Sequence, residues 1–558
     1  MSKEVLRGPL LVLAATVVCL VPFAGKAFHI DDTLFLWCAR QIQEHPGDFY
    51  GFDANWYGTV MPMHEINQNP PLVPYYIAGV AGLFGWSEVA LHLAFLLPAV
   101  GLSLGIYYLA RFFCSRPHIA AMIGVFSPVF LVSSASVMTD VTMVAFYVWA
   151  VVLWLHGMKS GRSAYLLCSA VLICLSMMAK YFGVTAVGLL FVYSLGMKRR
   201  PGLWVVFLAI PIAVLVGYEL LCHRLYGSGL FSNAVSYASG QSVTELPLLI
   251  AKPLIALSFT GGCMVGLIFY SRRLWSGREL IGGCLSVIVV TILFEATPLG
   301  DILMRSGESM RWYTGLQCAL LVVVGVGIMV LAVRDLRTCR NGESLLLVLW
   351  IAGTFVFSGF VNWTTNARTI LPMVPAVGIL LARRLDQTEK QRAEASSIAH
   401  LLPLSAAAVL TLLIVWADTS YANCQRLAAH MICRQFAGTE RTVWFDGHWG
   451  FQYYMELWGA RSVDHTGSVM QEGDVFVAPF NNCSMAPPTG FRRVQEPFEL
   501  LEHKQLRSCR WLTTVSQPLG AGFYSDTWGC IPFCFGRVPP EGYPIALVTR
   551  TTPLLIRD

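Results

Sequence analysis

Two adjacent carboxylates, Asp31 and Asp32, follow the first apolar stretch of the chain and are its clearest candidates for chemistry. Charged side chains at the edge of a membrane are costly unless they are solvated or used. A carboxylate held there can serve as a general base towards a hydroxyl group of a membrane-borne substrate. The structural alternative is that either residue caps a helix predicted to begin at Thr33 and to run to Glu44. Both interpretations place the pair at a boundary between apolar chain and water.

Three further charged residues stand at the ends of apolar stretches. Asp140 begins one stretch, where it acts either as a helix cap or as an orienting carboxylate. Lys180 lies between two stretches, and Arg368 precedes another. Either cation can pair with a carboxylate or hold a phosphate, although Lys180 can instead only extend its ammonium to the interface. These three residues and the acidic pair can cooperate only if they share one side of the membrane.

A divalent metal ion is an alternative in the same region. His29, His64 and Glu65 are candidate ligands together with Asp31 or Asp32. A single loop histidine is more often an ordinary surface residue, so we predict no metal site and no certain cofactor. The sequence has no Gly-Lys-Ser/Thr phosphate loop, no His-Glu-x-x-His and no Gly-x-Ser-x-Gly motif.

The elements that position these residues are predicted to be membrane helices. Hydrophobic residues make up 55% of the 558 and charged residues only 13%, whereas a soluble domain carries about a quarter charged residues. The net charge of +6 is scattered in short clusters, which excludes nucleic acid as a partner. Thirteen apolar stretches of roughly bilayer-spanning length recur, at 8–28, 88–112, 118–136, 141–157, 164–179, 183–196, 202–222, 248–270, 280–297, 313–333, 344–361, 367–382 and 400–417.

The loops between the stretches differ in their content of Lys and Arg. One alternate set holds most of them, in clusters such as 198–200 and 383–392. Because basic loops stay in the cytoplasm, we predict a multi-pass protein of the cell (inner) membrane with a cytoplasmic N-terminus. The opposite, outer side then receives a long loop at about 29–87 and the charged residues Asp31, Asp32, Asp140, Lys180 and Arg368.

The chain changes character near residue 418, which predicts two domains, a membrane module at 1–417 and an extracytoplasmic domain at 418–558. Strand-like runs at 442–445 and 474–477, with Gly and Pro between them, indicate a small mixed α/β or β-rich fold. Aromatic residues at 444–454 suit sugar stacking but favour a domain core. An even number of cysteines in an oxidising compartment favours disulfides over a metal; the six are Cys424, Cys433, Cys483, Cys509, Cys530 and Cys534.

The order of these features resembles polytopic glycosyltransferases of the GT-C type, in particular the protein O-mannosyltransferase and aminoarabinose-transferase group of family 39. Their first outer loop starts with an acidic pair and continues to a Pro-Pro-Leu-Tyr-Tyr-like segment, matched here by 70–76. Thr139-Asp140 and Arg368, followed by spaced prolines, match later motifs, so the resemblance covers about the first 380 residues. Asp32 and Asn69 depart from it, since the family commonly has Glu and often Lys or His there.

The resemblance implies a helical GT-C-like fold and inverting transfer of a sugar from a polyprenyl-phosphate donor in the membrane lipid to a hydroxyl acceptor. The acceptor would be a protein, a lipid or a cell-surface glycan. Catalysis would fall to Asp31, as the base, with Asp32 and Asp140. Contacts to donor phosphate or substrate are implied for Lys180, Arg368, Asn69, Tyr75 and His64. The alternatives are a transporter or flippase of a lipid-linked substrate, and a non-catalytic scaffold that does not need Asp31.

Overall fold

The computed structural model describes residues 3–240, 246–305, 307–392, 400–483 and 497–553. Its first helices are α1 (Lys3–Leu20), α2 (Asp32–Glu44), α3 (Met63–Ile66), α4 (Leu72–Phe84), α5 (Glu88–Ala110), α6 (Pro117–Val125), α7 (Pro128–Ser134), α8 (Thr139–Ser160), α9 (Ser163–Ala179), α10 (Thr185–Lys198) and α11 (Trp204–Tyr226). The later helices are α12 (Leu230–Gly240), α13 (Leu246–Cys263), α14 (Ser271–Leu274), α15 (Gly277–Ala296), α16 (Leu299–Met304), α17 (Trp312–Cys339), α18 (Gly342–Val356), α19 (Ala367–Ile370), α20 (Val374–Arg392), α21 (Leu401–Gln435) and α22 (Trp449–Leu457).

Apolar helices dominate the chain up to α21, which confirms a multi-pass membrane protein. Eight of the described helices are long and apolar enough to cross a membrane, or ten if each of two bent pairs counts as one span. The pair α6 and α7 bends by 63°, where Ser127 caps α7 just before Pro128. Each of the thirteen predicted stretches contains a helix. The count of thirteen spans stays a prediction, because some of these helices, such as α9, are short.

The predicted outer loop at 29–87 is a folded segment. Its helix α2 begins one residue before the predicted start and ends at the predicted residue, Glu44. Helix α4 packs against α2, and an antiparallel hairpin of β1 (Asp53–Asn55) and β2 (Val60–Pro62) lies between them in the chain. A long connection with this much structure is typical of a functional element.

The C-terminal part carries a mixed sheet packed on the helices. Its strands are β3 (Val443–Phe445), β4 (Arg461–Ser462), β5 (Val469–Met470), β6 (Val475–Val477), β7 (Phe498–Leu506), β8 (Leu512–Thr513), β9 (Val515–Ser516), β10 (Ala521–Gly522), β11 (Cys534–Phe535), β12 (Glu541–Val548) and β13 (Thr552–Pro553). The largest sheet has the order β4-β3-β6-β12-β7. The two predicted strand runs are β3 and β6, which pair in parallel, and the aromatic run at 444–454 is largely buried. The predicted mixed α/β character is confirmed.

The expected disulfides are absent, since all sixteen cysteines are free. Cys424 and Cys433 both lie on α21, about two and a half turns apart, which is too far for a bond. Cys534 contacts Thr314 and Gln317 of α17. The C-terminal part buries apolar surface against α17 and α21, and this packing stabilises it without cross-links. Helix α21 runs through residue 418 without a break, so the domain boundary there stays a prediction.

Candidate active site

Four charged side chains singled out in the sequence meet at one end of the helical bundle. Nη2 of Arg368 donates to Oδ2 of Asp31 at 2.8 Å. Nη1 of Arg368 lies 4.0 Å from Oδ2 of Asp140. Nζ of Lys180 donates to Oδ1 of Asp140 at 2.7 Å. We name this alternating series of charges (Asp31, Arg368, Asp140, Lys180) the charge row.

Helix ends position three members of the charge row. Asp31 is the N-cap residue of α2, but its carboxylate makes no capping hydrogen bond. Helix capping therefore does not explain the position of the Asp31 carboxylate. Asp140 lies in the first turn of α8, where the helix dipole favours a negative charge. Lys180 is the C-cap residue of α9, and it turns from there towards Asp140.

The C-terminal part helps to hold Arg368. This residue lies on α19, a single turn closed at its start by a capping box. The N–H of the neighbouring Ala367 donates to the carbonyl of Phe523 at 2.8 Å. The guanidinium group lies over the ring of Tyr524, 5.6 Å from its centroid. Cation–π contact and a fixed backbone restrict an otherwise long and mobile side chain.

The two ends of the charge row are accessible and its middle is buried. The side chains of Asp31 and Lys180 are 29% and 27% exposed, whereas those of Arg368 and Asp140 are 11% and 2% exposed. Among the described residues, Oδ2 of Asp140 and Nε of Arg368 have no hydrogen-bond partner. A molecule that reaches this end of the bundle meets a carboxylate on one side and an ammonium group on the other, with a buried ion pair between them.

Asp31 and Asp32 bind different partners. Ile30 has a left-handed φ of 49°, a conformation that costs a β-branched residue about 1–3 kcal/mol. Asp32 is fully buried and accepts the backbone N–H groups of His29 at 2.8 Å and Val137 at 2.9 Å. Burial raises the pKa of Asp32 to about 7. These contacts make Asp32 a residue that holds the turn, while its predicted catalytic role stays untested.

The two histidines of the metal alternative lie in different surroundings. His29 is fully buried, with Nε2 3.9 Å from Oδ1 of Asp418, and burial lowers its pKa to about 3. His64 stacks on the ring of Tyr226, with 5.0 Å between the centroids. In the parts of the chain that the structure describes, no group of three or more His, Cys, Asp or Glu could hold a metal ion. The placement of these residues gives the metal alternative no support.

The three other predicted binding residues belong to an aromatic group beside the end of α11. Tyr50 donates through its hydroxyl to the carbonyl of Asn69 at 2.5 Å and through its N–H to the hydroxyl of Tyr226 at 3.0 Å. The hydroxyl of Tyr75 donates to a backbone carbonyl of the outer segment, and His64 lies on Tyr226. None of the contacts that we describe joins Asn69, Tyr75 or His64 to the charge row, so their binding roles stay predictions.

A second, fully buried charge pair lies next to the charge row, and the sequence reasoning missed it. Nζ of Lys26 is 2.6 Å from Oδ2 of Asp418. Thr514 and Tyr524 also donate to this carboxylate, at 2.7 and 3.0 Å. Tyr524 is the same residue whose ring lies under Arg368. The signal was present, because Lys26 and Asp418 carry opposite charges at the ends of the first and last apolar stretches that are predicted to face the same side.

Comparison with known proteins supports one fold. A family model described as dolichyl-phosphate-mannose-protein mannosyltransferase matches residues 68–218, which include Asp140 and Lys180 but neither Asp31 nor Arg368. The apo oligosaccharyltransferase of Archaeoglobus fulgidus aligns with a TM-score of 0.51 over 82% of this chain and 64% of that chain, at 13% identity. The chain has the GT-C fold. The resemblance predicted from the sequence is thereby confirmed at the level of the fold.

Two further similar structures have lower scores. ArnT from Cupriavidus metallidurans, bound to undecaprenyl phosphate, aligns over 97% of this chain and 98% of that chain, with 13% identity and a TM-score of 0.42. The arabinofuranosyltransferase AftD from Mycobacteria aligns over 98% and 40%, with 12% identity and a TM-score of 0.44. The chain spans less than two thirds of the archaeal oligosaccharyltransferase. None of the curated proteins matches the chain.

Proposed function

We propose that the chain is a membrane glycosyltransferase that transfers a sugar from a polyprenyl-phosphate donor to a hydroxyl acceptor, with inversion at the anomeric carbon. The observation that carries the proposal is the charge row, in which residues from four distant segments place two carboxylates and two cations at one end of a GT-C bundle. The donor class follows the matched family, whose description names dolichyl-phosphate-mannose and a protein acceptor.

Asp31 acts as the general base in this proposal. Arg368 bonds only one oxygen of its carboxylate, Oδ2, and the side chain is partly exposed. The other oxygen takes the proton of the acceptor hydroxyl while the acceptor oxygen attacks the anomeric carbon from the face opposite the phosphate. The proton stays on Asp31 until the product leaves.

Lys180 and Arg368 stabilise the leaving group. The bond between the anomeric carbon and the phosphate oxygen breaks, and its electron pair remains with the polyprenyl phosphate. That anion needs electrostatic stabilisation more than a proton. Asp140 contacts both cations. It therefore fixes the distance between them and directs both towards the donor phosphate.

The proposal includes a side of the membrane and a set of partners. Lipid-borne sugars of this class are used on the outer face, and the positive-inside rule assigns the charge row and the C-terminal part to that face. The donor approaches from the membrane lipid, while the acceptor hydroxyl belongs to a protein, a lipid or a cell-surface glycan. The cell (inner) membrane is the proposed location.

A transporter or flippase of a lipid-linked substrate is the alternative function. Transport would favour charges deep in several spans. Glu219, in the last turns of α11, instead accepts the N–H groups of Phe231 and Ser232 at 3.0 Å and thereby caps α12. Glu295 lies at the end of α15 and is exposed. Neither carboxylate supports a transport path through the middle of the bundle.

The test of the proposal is the substitution Asp31→Asn. We expect a loss of sugar transfer of at least about 100-fold, because the amide cannot accept the proton of the acceptor. The measurement uses membranes with equal amounts of protein and labelled polyprenyl-phosphate donors that carry mannose, aminoarabinose or arabinose.

The matched control is Asp53→Asn, which changes an exposed carboxylate on β1 of the same outer segment. We expect this variant to transfer sugar at the wild-type rate. Normal turnover by Asp31→Asn would remove the assignment of the base and would favour the scaffold or transport alternatives.

A further inference from the structure

A basic cleft of about 480 Å³ opens where the C-terminal part meets the start of α17. Its wall includes Pro539 and Pro540. The residues that line it include no member of the charge row. Its charged lining consists of Arg311, Arg507, Arg510 and Arg537.

The four arginines of this cleft have no acidic side chain beside them among the described residues that line it. Glu541, which follows Pro540, is buried and hydrogen-bonds with Asn481 and with the lining residue Ser508. Burial raises the pKa of Glu541 to about 8, so this group does not neutralise the cleft at pH 7. Guanidinium groups keep their charge at this pH, and four of them at one cleft favour a bound anion.

The cleft lies beside the predicted ends of two apolar stretches, 313–333 and 400–417. Arg311 is the N-cap residue of α17, a candidate span whose first residue, Trp312, is exposed. Trp511 follows Arg510, and its exposed ring lies 6.2 Å from that of Trp416 on α21, a second candidate span. Exposed tryptophans at the ends of spans mark the membrane–water interface.

We infer that this cleft binds the phosphate group of an anionic lipid in the leaflet at this end of the bundle. Guanidinium groups bind phosphate through paired, charge-assisted hydrogen bonds. A headgroup phosphate lies at the depth of the interfacial tryptophans. This lipid site is separate from the proposed transfer reaction and does not depend on it.

The test compares lipid retention by three forms of the full-length protein. The first is wild type, and the second carries Arg507→Gln, Arg510→Gln and Arg537→Gln. The third is a control with the same loss of charge elsewhere in the C-terminal part, at the exposed residues Arg434, Arg441 and Arg461. Each is extracted from bilayers of phosphatidylglycerol or of phosphatidylcholine, and bound lipid is counted by native mass spectrometry.

We expect wild type and control to retain phosphatidylglycerol and the cleft variant to retain roughly tenfold less, as expected for the loss of charge-assisted hydrogen bonds. Retention of phosphatidylcholine should not differ among the three forms. Equal retention of phosphatidylglycerol by wild type and cleft variant would overturn the inference. An unchanged thermal midpoint in phosphatidylcholine shows that the cleft variant is folded, and single Arg507→Gln or Arg537→Gln variants replace it if it is not.

A second arm separates a lipid phosphate from a free phosphate. Inorganic phosphate at millimolar concentration is added to each form in phosphatidylcholine, and the thermal midpoint is measured. We expect no difference between wild type and cleft variant. A rise in wild type alone, without retained phosphatidylglycerol, would overturn the lipid assignment in favour of a soluble anion.

Discussion

Arg368 contacts both carboxylates of the charge row, through two different nitrogens. Its position depends on contacts at either side: Met138 Sδ lies 2.9 Å from Nη1, and the ring of Tyr524 lies beneath the guanidinium. Asp31 and Asp140 come from helices whose ends are far apart in sequence. A planar guanidinium fork is the side chain that can hold two such groups at a fixed separation.

We expect Arg368→Lys to lower kcat/KM for sugar transfer by about 100-fold. Lysine keeps the charge but has a single ammonium, which cannot replace two nitrogens directed at different carboxylates. The thermal midpoint should change little, because the charge balance is kept. Arg224→Lys, an exposed change on α11, is the control. Wild-type transfer by Arg368→Lys would show that the fork is not required.

The buried pair of Lys26 and Asp418 predicts strong coupling between two substitutions. Asp418→Asn leaves a buried ammonium without its counter-charge, so we expect a loss of stability of about 3–5 kcal/mol. Adding Lys26→Met removes that ammonium and should recover a large part of the loss. The free energies of unfolding of the four forms make a double-mutant cycle. A double variant no more stable than Asp418→Asn alone would show that the charge is not the cause.

Helix α22 of the C-terminal part is the element that fixes the segment leading to Asp31. The hydroxyl of Thr33 donates to the carbonyl of Trp449 at 3.0 Å, and the hydroxyl of Tyr454 accepts the N–H of Phe28 at 2.9 Å. A Cβ atom at Gly450 would overlap the carbonyl oxygen of Phe28. The approach of these two backbones therefore requires glycine.

Gly450→Ala is expected to displace the turn that carries Asp31. We predict a fall in sugar transfer of about 100-fold, the effect of a misplacement of roughly 1 Å in a catalytic group, together with a lower thermal midpoint. The control is Gly79→Ala on α4, where an added Cβ meets nothing within 4 Å. That variant should keep its activity. Equal activity of the two variants would show that α22 does not set the position of the base.

At the scale of the whole molecule, the helical bundle and the C-terminal part share one core. Buried residues of α1, α21, the mixed sheet and the β8 to β11 region belong to one hydrophobic cluster. The charge row lies at the end of the bundle that the C-terminal part covers, since Phe523 and Tyr524 contact the α19 segment. The charge row and the C-terminal part must therefore lie on the same side of the membrane.

The orientation can be tested with cysteines introduced at exposed positions. Because basic loops remain in the cytoplasm, we expect a membrane-impermeant maleimide to label Arg441→Cys in intact cells. Arg200→Cys, between α10 and α11, should react only after the membrane is permeabilised. Wild type corrects for the native thiols. Labelling of Arg200→Cys in intact cells would place the charge row in the cytoplasm and would remove the outer-face part of the proposed function.

Features with a local cause could be predicted from the sequence alone. Apolar runs of about bilayer length predict helices wherever they occur, and each of the predicted runs contains one. The helix up to Glu44 and the existence of strands β3 and β6 follow from residue pattern and turn residues in the same way, whereas their parallel pairing does not. Successive loops lie on alternate sides of the membrane. This alternation predicts that Asp31, Asp140, Lys180 and Arg368 share one side.

Only the tertiary structure decided which way individual side chains point and what they touch. Asp31 and Asp32 are adjacent, yet a left-handed Ile30 directs one towards Arg368 and the other to the N–H of Val137. The free cysteines and the Lys26 pair depend on how α17 and α21 pack, which no local pattern encodes. The sequence determines which charged residues stand at the end of an apolar span, because that depends on neighbouring residues in the chain. The partner of each charged residue depends on contacts between distant segments, which exist only after the chain has packed.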